Sequence, residues 1–200
     1  MNTLKSISIF IGLIAFLPLW YEMLLKDKRQ SFLSMIFWGS LDLLFGISAF
    51  ISTPKGSYEL PFWYAGGGFL TALIALLKNR QIDFEKDEKR ILFVSVISFL
   101  VFGLATFNLL GKNSLNISGY SSIISIAIAS YFMLKDAWKF PKDFPTPYIY
   151  GLFTIADILN VLSGKDSSLF EIGFGITYAI VCGLVVLFSM NLLQKRFLKK

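Results

Sequence analysis

The chain contains no histidine and only one cysteine, Cys182, and each shortage removes a class of chemistry. Without histidine there is no Ser/His or Cys/His nucleophile pair and no histidine-based metal site. A lone cysteine excludes an intrachain disulfide and a paired-cysteine redox motif. Charge is also scarce. Asp, Glu, Lys and Arg make up 16% of the 200 residues, against roughly a quarter in soluble domains. Such a chain is not expected to be an enzyme, to hold a cofactor or metal, or to fold in water.

What is present instead is apolar. Hydrophobic residues reach 55% and the mean hydropathy is +0.65, with the few charges gathered in short blocks between long apolar runs. That is the pattern of a multi-spanning membrane protein. The pI near 9.4 does not point to nucleic acid, because the basic residues sit at the ends of the apolar runs, where they set topology beside anionic lipid. Seven runs are long enough to cross a bilayer as helices: 4–25, 31–52, 60–77, 91–111, 117–134, 147–163 and 169–193. The first is expected to be a retained span rather than a signal peptide, since Pro18, Trp20 and Glu22 follow where a small-residue cleavage site would stand. The fold class expected is all-α integral membrane.

Charge sorting gives an orientation. With seven spans, fifteen of the 19 basic residues fall in the loops after spans 1, 3 and 5 and in the C-terminal tail. Lys5, Lys55, Lys112 and Lys165 are left for the other side. The bias predicts an N-terminus outside and a C-terminus in the cytoplasm. The Lys- and Ile-rich composition suggests an AT-rich bacterial genome, hence a bacterial inner membrane. Trp20, Tyr21, Trp63 and Tyr64 lie near span ends, where aromatic rings favour the interface.

The chain also repeats itself. Met23-Leu24-Leu25-Lys26-Asp27 closes span 1, and Phe132-Met133-Leu134-Lys135-Asp136 closes span 5. Asp42-Leu43-Leu44 in span 2 lines up with Asp157-Ile158-Leu159 in span 6. Spans 3 and 7 carry small residues at every fourth position, Gly67, Thr71, Ala75 and Gly175, Ala179, Gly183, a spacing that lets helix backbones approach closely in lipid. The predicted organisation is a first three-helix bundle over 1–77, a charged loop and linker helix over 78–111, and a second three-helix bundle with a basic tail over 112–200. A single linker span makes the two bundles parallel.

Three helices, a linker and three helices, with the N-terminus outside, resemble the SWEET and PQ-loop group of small membrane transporters. The first hairpin carries the resemblance in sequence: Pro18 late in span 1, a charged turn over Lys26–Gln30, then SFLSMIFWGSLDLL. The Pro-Gln pair of that group is Pro18-Leu19 here, and span 5 has no proline at the corresponding place. The nicotinamide riboside carriers share the same helix plan, but their tryptophan–asparagine signatures are not evident. The resemblance implies a transporter that alternates access by rocking one bundle on the other.

Asp42 and Asp157 are the sharpest candidates. A carboxylate at the centre of a membrane helix costs on the order of 2.5–3.5 kcal/mol on insertion scales, and no Lys or Arg lies inside any span to offset it. A proton, water or a bound cation must do so. The bland alternative is a protonated acid that only holds helices together, worth about 0.6–2 kcal/mol. Helical spacing puts Ser34 and Trp38 on the face of Asp42, and Tyr150, Thr154 and Asn160 on or near the face of Asp157. Pro18 and Glu22, near the cytoplasmic end of span 1, are candidates for a gate, although a Glu so placed can also snorkel to the interface. Asn108 reads as a helix–helix hydrogen bond, Glu171 as an outer-end residue, and Asn116-Ile117-Ser118 as a sequon.

The expected function is a small secondary transporter or facilitator for a small polar metabolite of the sugar, amino acid or vitamin class, with proton coupling through Asp42 and Asp157. Its partners would be membrane lipids and that substrate, with a homo-oligomer left open and nucleic acid excluded. The alternative is a non-transporting membrane scaffold or accessory subunit whose acids pair with another chain. A retinal protein would need a lysine in the last helix, and every lysine here lies in a loop or tail.

Overall fold

A computed structural model describes residues 3–52, 59–78, 86–107, 114–163 and 169–190. Among these residues the regular structure is seven helices and no strand: α1 (Thr3–Leu25), α2 (Phe32–Ser52), α3 (Glu59–Lys78), α4 (Lys86–Thr106), α5 (Ser114–Lys139), α6 (Pro147–Ser163) and α7 (Leu169–Ser189). Four stretches are long and apolar enough to cross a membrane: Thr3–Leu25, Phe32–Phe50, Glu59–Lys78 and Ile172–Ser189. Leu92–Ala105 and Pro147–Ser163 are shorter apolar helices.

The interior is apolar, as in a protein in water, but the outer surface is apolar as well. On α1 the face made by Ile7, Phe10, Ile14, Leu17, Tyr21 and Leu24 is exposed, while Ser8 and Glu22 are buried. Exposed large apolar residues recur along α3, α4, α6 and α7. A soluble monomer seldom leaves so continuous an apolar surface uncovered, and lipid is the solvent that suits it. The exposed face is consistent with a membrane protein.

Local signals in the sequence explain the helix ends near the centre of the argument. Asp27 takes a left-handed conformation (φ 51°) just past α1, which Asp tolerates better than most residues. The Lys26 and Lys28 amides both turn back to the Glu22 carbonyl. Ser31 caps α2, its hydroxyl accepting from the Ser34 amide at 3.2 Å. Pro147 opens α6 at the position where its missing N–H leaves no bond unmade. Two boundaries differ from the sequence expectation. α4 begins at Lys86 rather than 91, and α5 runs on to Lys139, past Lys135 and Asp136. Lys, Glu and Asp end an apolar run without ending a helix, because long charged side chains leave the apolar layer while the backbone continues.

Helix packing repeats across the chain. α3 packs on α2 and on α1, and α7 packs on α6 and on α5. α1 packs on α6, and α5 packs on α2. Superposing the order α1–α2–α3 on α5–α6–α7 carries each of these contacts onto another of the set. α4 stands apart from this scheme, lying chiefly along α5.

Glycine makes the closest approaches possible. A Cβ on Gly67 would lie 2.3 Å from the Phe16 ring, and one on Gly68 would lie 3.0 Å from the Gly39 Cα. A Cβ on Gly66 would meet nothing within 4 Å. Of the small residues spaced along α7, Gly175 packs against Val161 whereas Gly183 faces open space. Gly67→Ala is therefore expected to destabilise the protein by about 1–3 kcal/mol, since the Phe16 ring is held by Trp20, Tyr64 and Phe153. Gly66→Ala should change stability by less than about 0.5 kcal/mol. Thermal melting of the two variants in detergent, run side by side, tests the difference.

Candidate functional site

Asp42 and Asp157 each occupy the eleventh residue of their helices, α2 and α6. At 1.5 Å per residue both lie about 15 Å from the helix start. They are turned inward, 3% and 4% exposed, and are near enough to each other to interact electrostatically. Each faces a tyrosine from the other half of the chain. The Tyr178 hydroxyl of α7 faces Asp42, and the Tyr64 hydroxyl of α3 faces Asp157. Each pair sits at the margin of hydrogen-bond reach, close enough to interact but outside the geometry of a well-formed bond. Among the described residues, the Tyr64 and Tyr178 hydroxyls, Asp157 Oδ2 and the Asn160 side-chain oxygen find no well-formed hydrogen-bond partner. Buried polar atoms are nearly always satisfied by protein or by ordered water, so a group of such atoms around two acids marks a polar site able to take up water or a ligand.

That place is a pair of small chambers with Asp42, Tyr64 and Asp157 on the wall of both. One, of about 30 Å³, extends toward Leu19, Met35, Trp38, Tyr150 and Cys182. The other, of about 20 Å³, extends toward Phe45, Leu60, Pro61, Asn160 and Phe174. The rings of Phe45 and Phe174 stack with centroids 3.8 Å apart on the wall of the second.

The residues expected from sequence are distributed unevenly about this centre. Trp38 lines the larger chamber, with its ring edge-on to Tyr178 at 4.8 Å and its indole N–H donated to Ser130 at 3.2 Å. Asn160 lines the smaller chamber. Tyr150 lines the larger one and donates its hydroxyl to Gln30 Oε1. Thr154 turns away from both chambers, bonding back to the Tyr150 carbonyl at 2.9 Å and bordering an outer groove between α6 and α7. Ser34 serves packing. Its hydroxyl donates to the Ala129 carbonyl at 2.7 Å and accepts from the Met133 amide at 3.0 Å. Those two groups are the i and i+4 partners of one turn of α5, so Ser34 sits in the α5 ladder, a known device for bending a helix. Pro18 is half-buried inside α1, one turn before Glu22. Asn108 and the side chains of Asn116 and Glu171 lie outside the described residues.

Glu22 does not snorkel. It is 2% exposed, and its carboxylate accepts the Thr146 amide at 2.7 Å, the Thr146 hydroxyl at 2.5 Å and Lys26 Nζ at 3.4 Å. The α5–α6 loop folds over the α1–α2 turn and supplies the two Thr146 donors, while Lys26 follows Glu22 by four residues in its own segment. The same two segments are tied again by the Arg29 amide on the Asp143 carbonyl at 2.6 Å and by Lys28 Nζ on the Lys142 carbonyl. One end of the bundle is thus closed by polar contacts between its two halves.

The aromatic pairs near span ends split in the same way. Trp63 and Tyr21 are exposed as interface residues would be, but Tyr64 is 6% exposed and belongs to the site, and the half-buried Trp20 donates to Thr71 Oγ1 at 2.9 Å. Tyr64 and Tyr178 line the candidate site without standing out in the sequence as members of it. A signal for them existed: each follows its half's acid by nearly the same distance, 22 residues for Asp42 to Tyr64 and 21 for Asp157 to Tyr178. Among the described residues no group of three or more His, Cys, Asp or Glu gathers as a metal site. No protein-family model, curated protein or solved structure matches the chain.

Proposed function

We propose that the protein is a small secondary transporter of seven membrane helices, arranged as two parallel three-helix bundles joined by α4, that moves a small polar solute past Asp42 and Asp157. The observation that carries this reading is the convergence of unpartnered buried polar atoms on the central chambers, at the depth where the two halves meet. An acid kept only to hold helices together would be expected to have its oxygens engaged. The matching helix contacts of α1–α3 and α5–α7 support the two-bundle plan. The polar closure at Glu22 and Thr146, at the end predicted to be cytoplasmic, supports alternating access, in which that end parts as the other seals. The alternative of a scaffold whose acids pair with another chain is favoured less, because both acids face the interior, away from any surface a partner would reach.

In proteoliposomes, Asp42→Asn and Asp157→Asn are each expected to lower solute-driven flux by a factor of about 100 or more, the loss of one well-placed charged contact or more at the step that limits passage. Electrogenic current after a solute jump, recorded on solid-supported membranes across sugars, amino acids and vitamins, gives the readout. Equal currents for wild type and both variants, for every active solute, would remove the acids from the pathway.

A further inference from the structure

From the chemistry of the chamber walls we infer that the solute carries a compact ammonium group, and that this group is seated between Asp42 and Asp157. The inference deepens the transport reading and takes from it only that the central chambers hold a ligand.

Three features select the cation. First, the unpartnered atoms that face the chambers are acceptors or hydroxyls: Asp157 Oδ2, the Asn160 side-chain oxygen, and the Tyr64 and Tyr178 hydroxyls. A ligand that completes them must bring donors. Second, among the described residues no lysine or arginine lines either chamber. An anionic ligand would enter beside two carboxyl groups with nothing to offset its charge, which a low-dielectric site penalises heavily. Third, much of the remaining wall is aromatic: Phe16, Trp38, Tyr64, Tyr150 and Phe153 around the larger chamber and Phe45, Phe174 and Tyr178 around the smaller. Ring faces attract a cation and do so more strongly when water is excluded.

The same wall argues against a metal ion. Calcium or magnesium takes six or more oxygen ligands gathered in one shell, whereas the oxygens here are divided between two chambers, three of them are neutral phenols of Tyr64, Tyr150 and Tyr178, and aromatic rings stand among them. A primary ammonium needs only three acceptors. A neutral sugar would use acceptors and donors in comparable number, whereas the unpartnered carboxyl and amide oxygens here accept. Size narrows the class further. A site of about 10–15 Å³ in this measure holds one water, so chambers of about 30 and 20 Å³ accept a methylammonium-sized head group in the arrangement seen.

Thermal unfolding of the full-length protein in lipid nanodiscs tests this with defined probes: methylammonium chloride, sodium chloride at equal ionic strength, sodium acetate and glucose. Methylammonium is expected to raise the melting temperature saturably while the other three do not. Asp157→Asn should weaken the half-saturating concentration by about tenfold or more. Asp157→Glu, which keeps the charge, should retain the preference for the amine if the Asn variant fails to fold. Equal stabilisation by sodium, stabilisation by acetate or glucose in place of methylammonium, or no saturable effect of any amine would each overturn the inference. Uptake of labelled methylammonium into proteoliposomes separates the two readings. Saturable binding without uptake sustains the cation site and removes transport, whereas glucose flux with no amine effect removes the cation site and sustains transport.

Discussion

Replacing Glu22 by alanine is expected to raise the rate at which a water-soluble methanethiosulfonate modifies Cys182 by about thirtyfold. Cys182 is the only thiol in the chain and is fully buried on the wall of the larger chamber. It therefore reports on opening without any engineered label. Glu22 engages two donors of Thr146 across the halves and Lys26 on its own helix. Removing the carboxylate leaves the Thr146 amide and hydroxyl without their acceptor while Lys26 stays half-exposed, a loss of about 1.5–3 kcal/mol for charge-assisted bonds. If about 2 kcal/mol of that favours the closed end over the open one, the open population rises by about thirtyfold. Thr146→Val removes the hydroxyl donor but keeps the amide, and should give a smaller rise in the same direction. Measured in proteoliposomes, a modification rate that stays at the wild-type value in both variants, while their melting temperatures fall, would make Glu22 a staple of the fold with no part in gating.

Pro18 and Ser34 suggest how such an opening is accommodated. Pro18 interrupts the α1 ladder one turn before Glu22, and the Ser34 hydroxyl enters the α5 ladder between Ala129 and Met133. The sequence has no proline in α5 to match Pro18, yet one turn of that helix shares its carbonyl and amide with the Ser34 hydroxyl of a neighbour. Two helices that cross the interface between halves can thus flex by different devices.

Much of the fold was legible in the sequence because membrane helices announce themselves. Apolar runs bounded by Lys and Asp gave helix existence and order, and the paired Asp42 and Asp157 gave the centre of the site by depth alone. What stayed hidden was direction around each helix axis. Tyr64 and Trp63 are adjacent in sequence and equally suited to an interface, and only the packing of α3 on α1 and α2 turns one inward and the other outward. Thr154 and Asp157 are three residues apart, close enough to share a face by spacing, but the site falls at the edge of that face and leaves Thr154 outside. Glu22 was misjudged for a related reason. Its partner is Thr146, 124 residues away, and a contact between two loops leaves no periodic trace in either.

Asp157→Leu is expected to make the protein more stable and inactive at once. Asp157 Oδ2 is buried without a partner, and an unsatisfied buried acceptor costs about 1–3 kcal/mol. Leucine removes that cost and fills apolar space beside Phe16 and Phe153, which line the same chamber. The Tyr64 hydroxyl loses the group it faces but forfeits no formed hydrogen bond. A chain of this length gains about 2–4 °C in melting temperature per kcal/mol, so a rise of several degrees should accompany loss of flux. The sign is what decides between the two meanings of a midplane acid. An acid retained to bind helices together would be missed when removed, and the variant would melt lower than wild type, as expected where polar contacts act as glue. An acid retained for a ligand is a burden on the empty protein, and natural sites carry such burdens at a cost in stability. A melting temperature that falls in Asp157→Leu, in detergent and in lipid alike, would assign Asp157 to packing and take the central chambers out of the transport pathway.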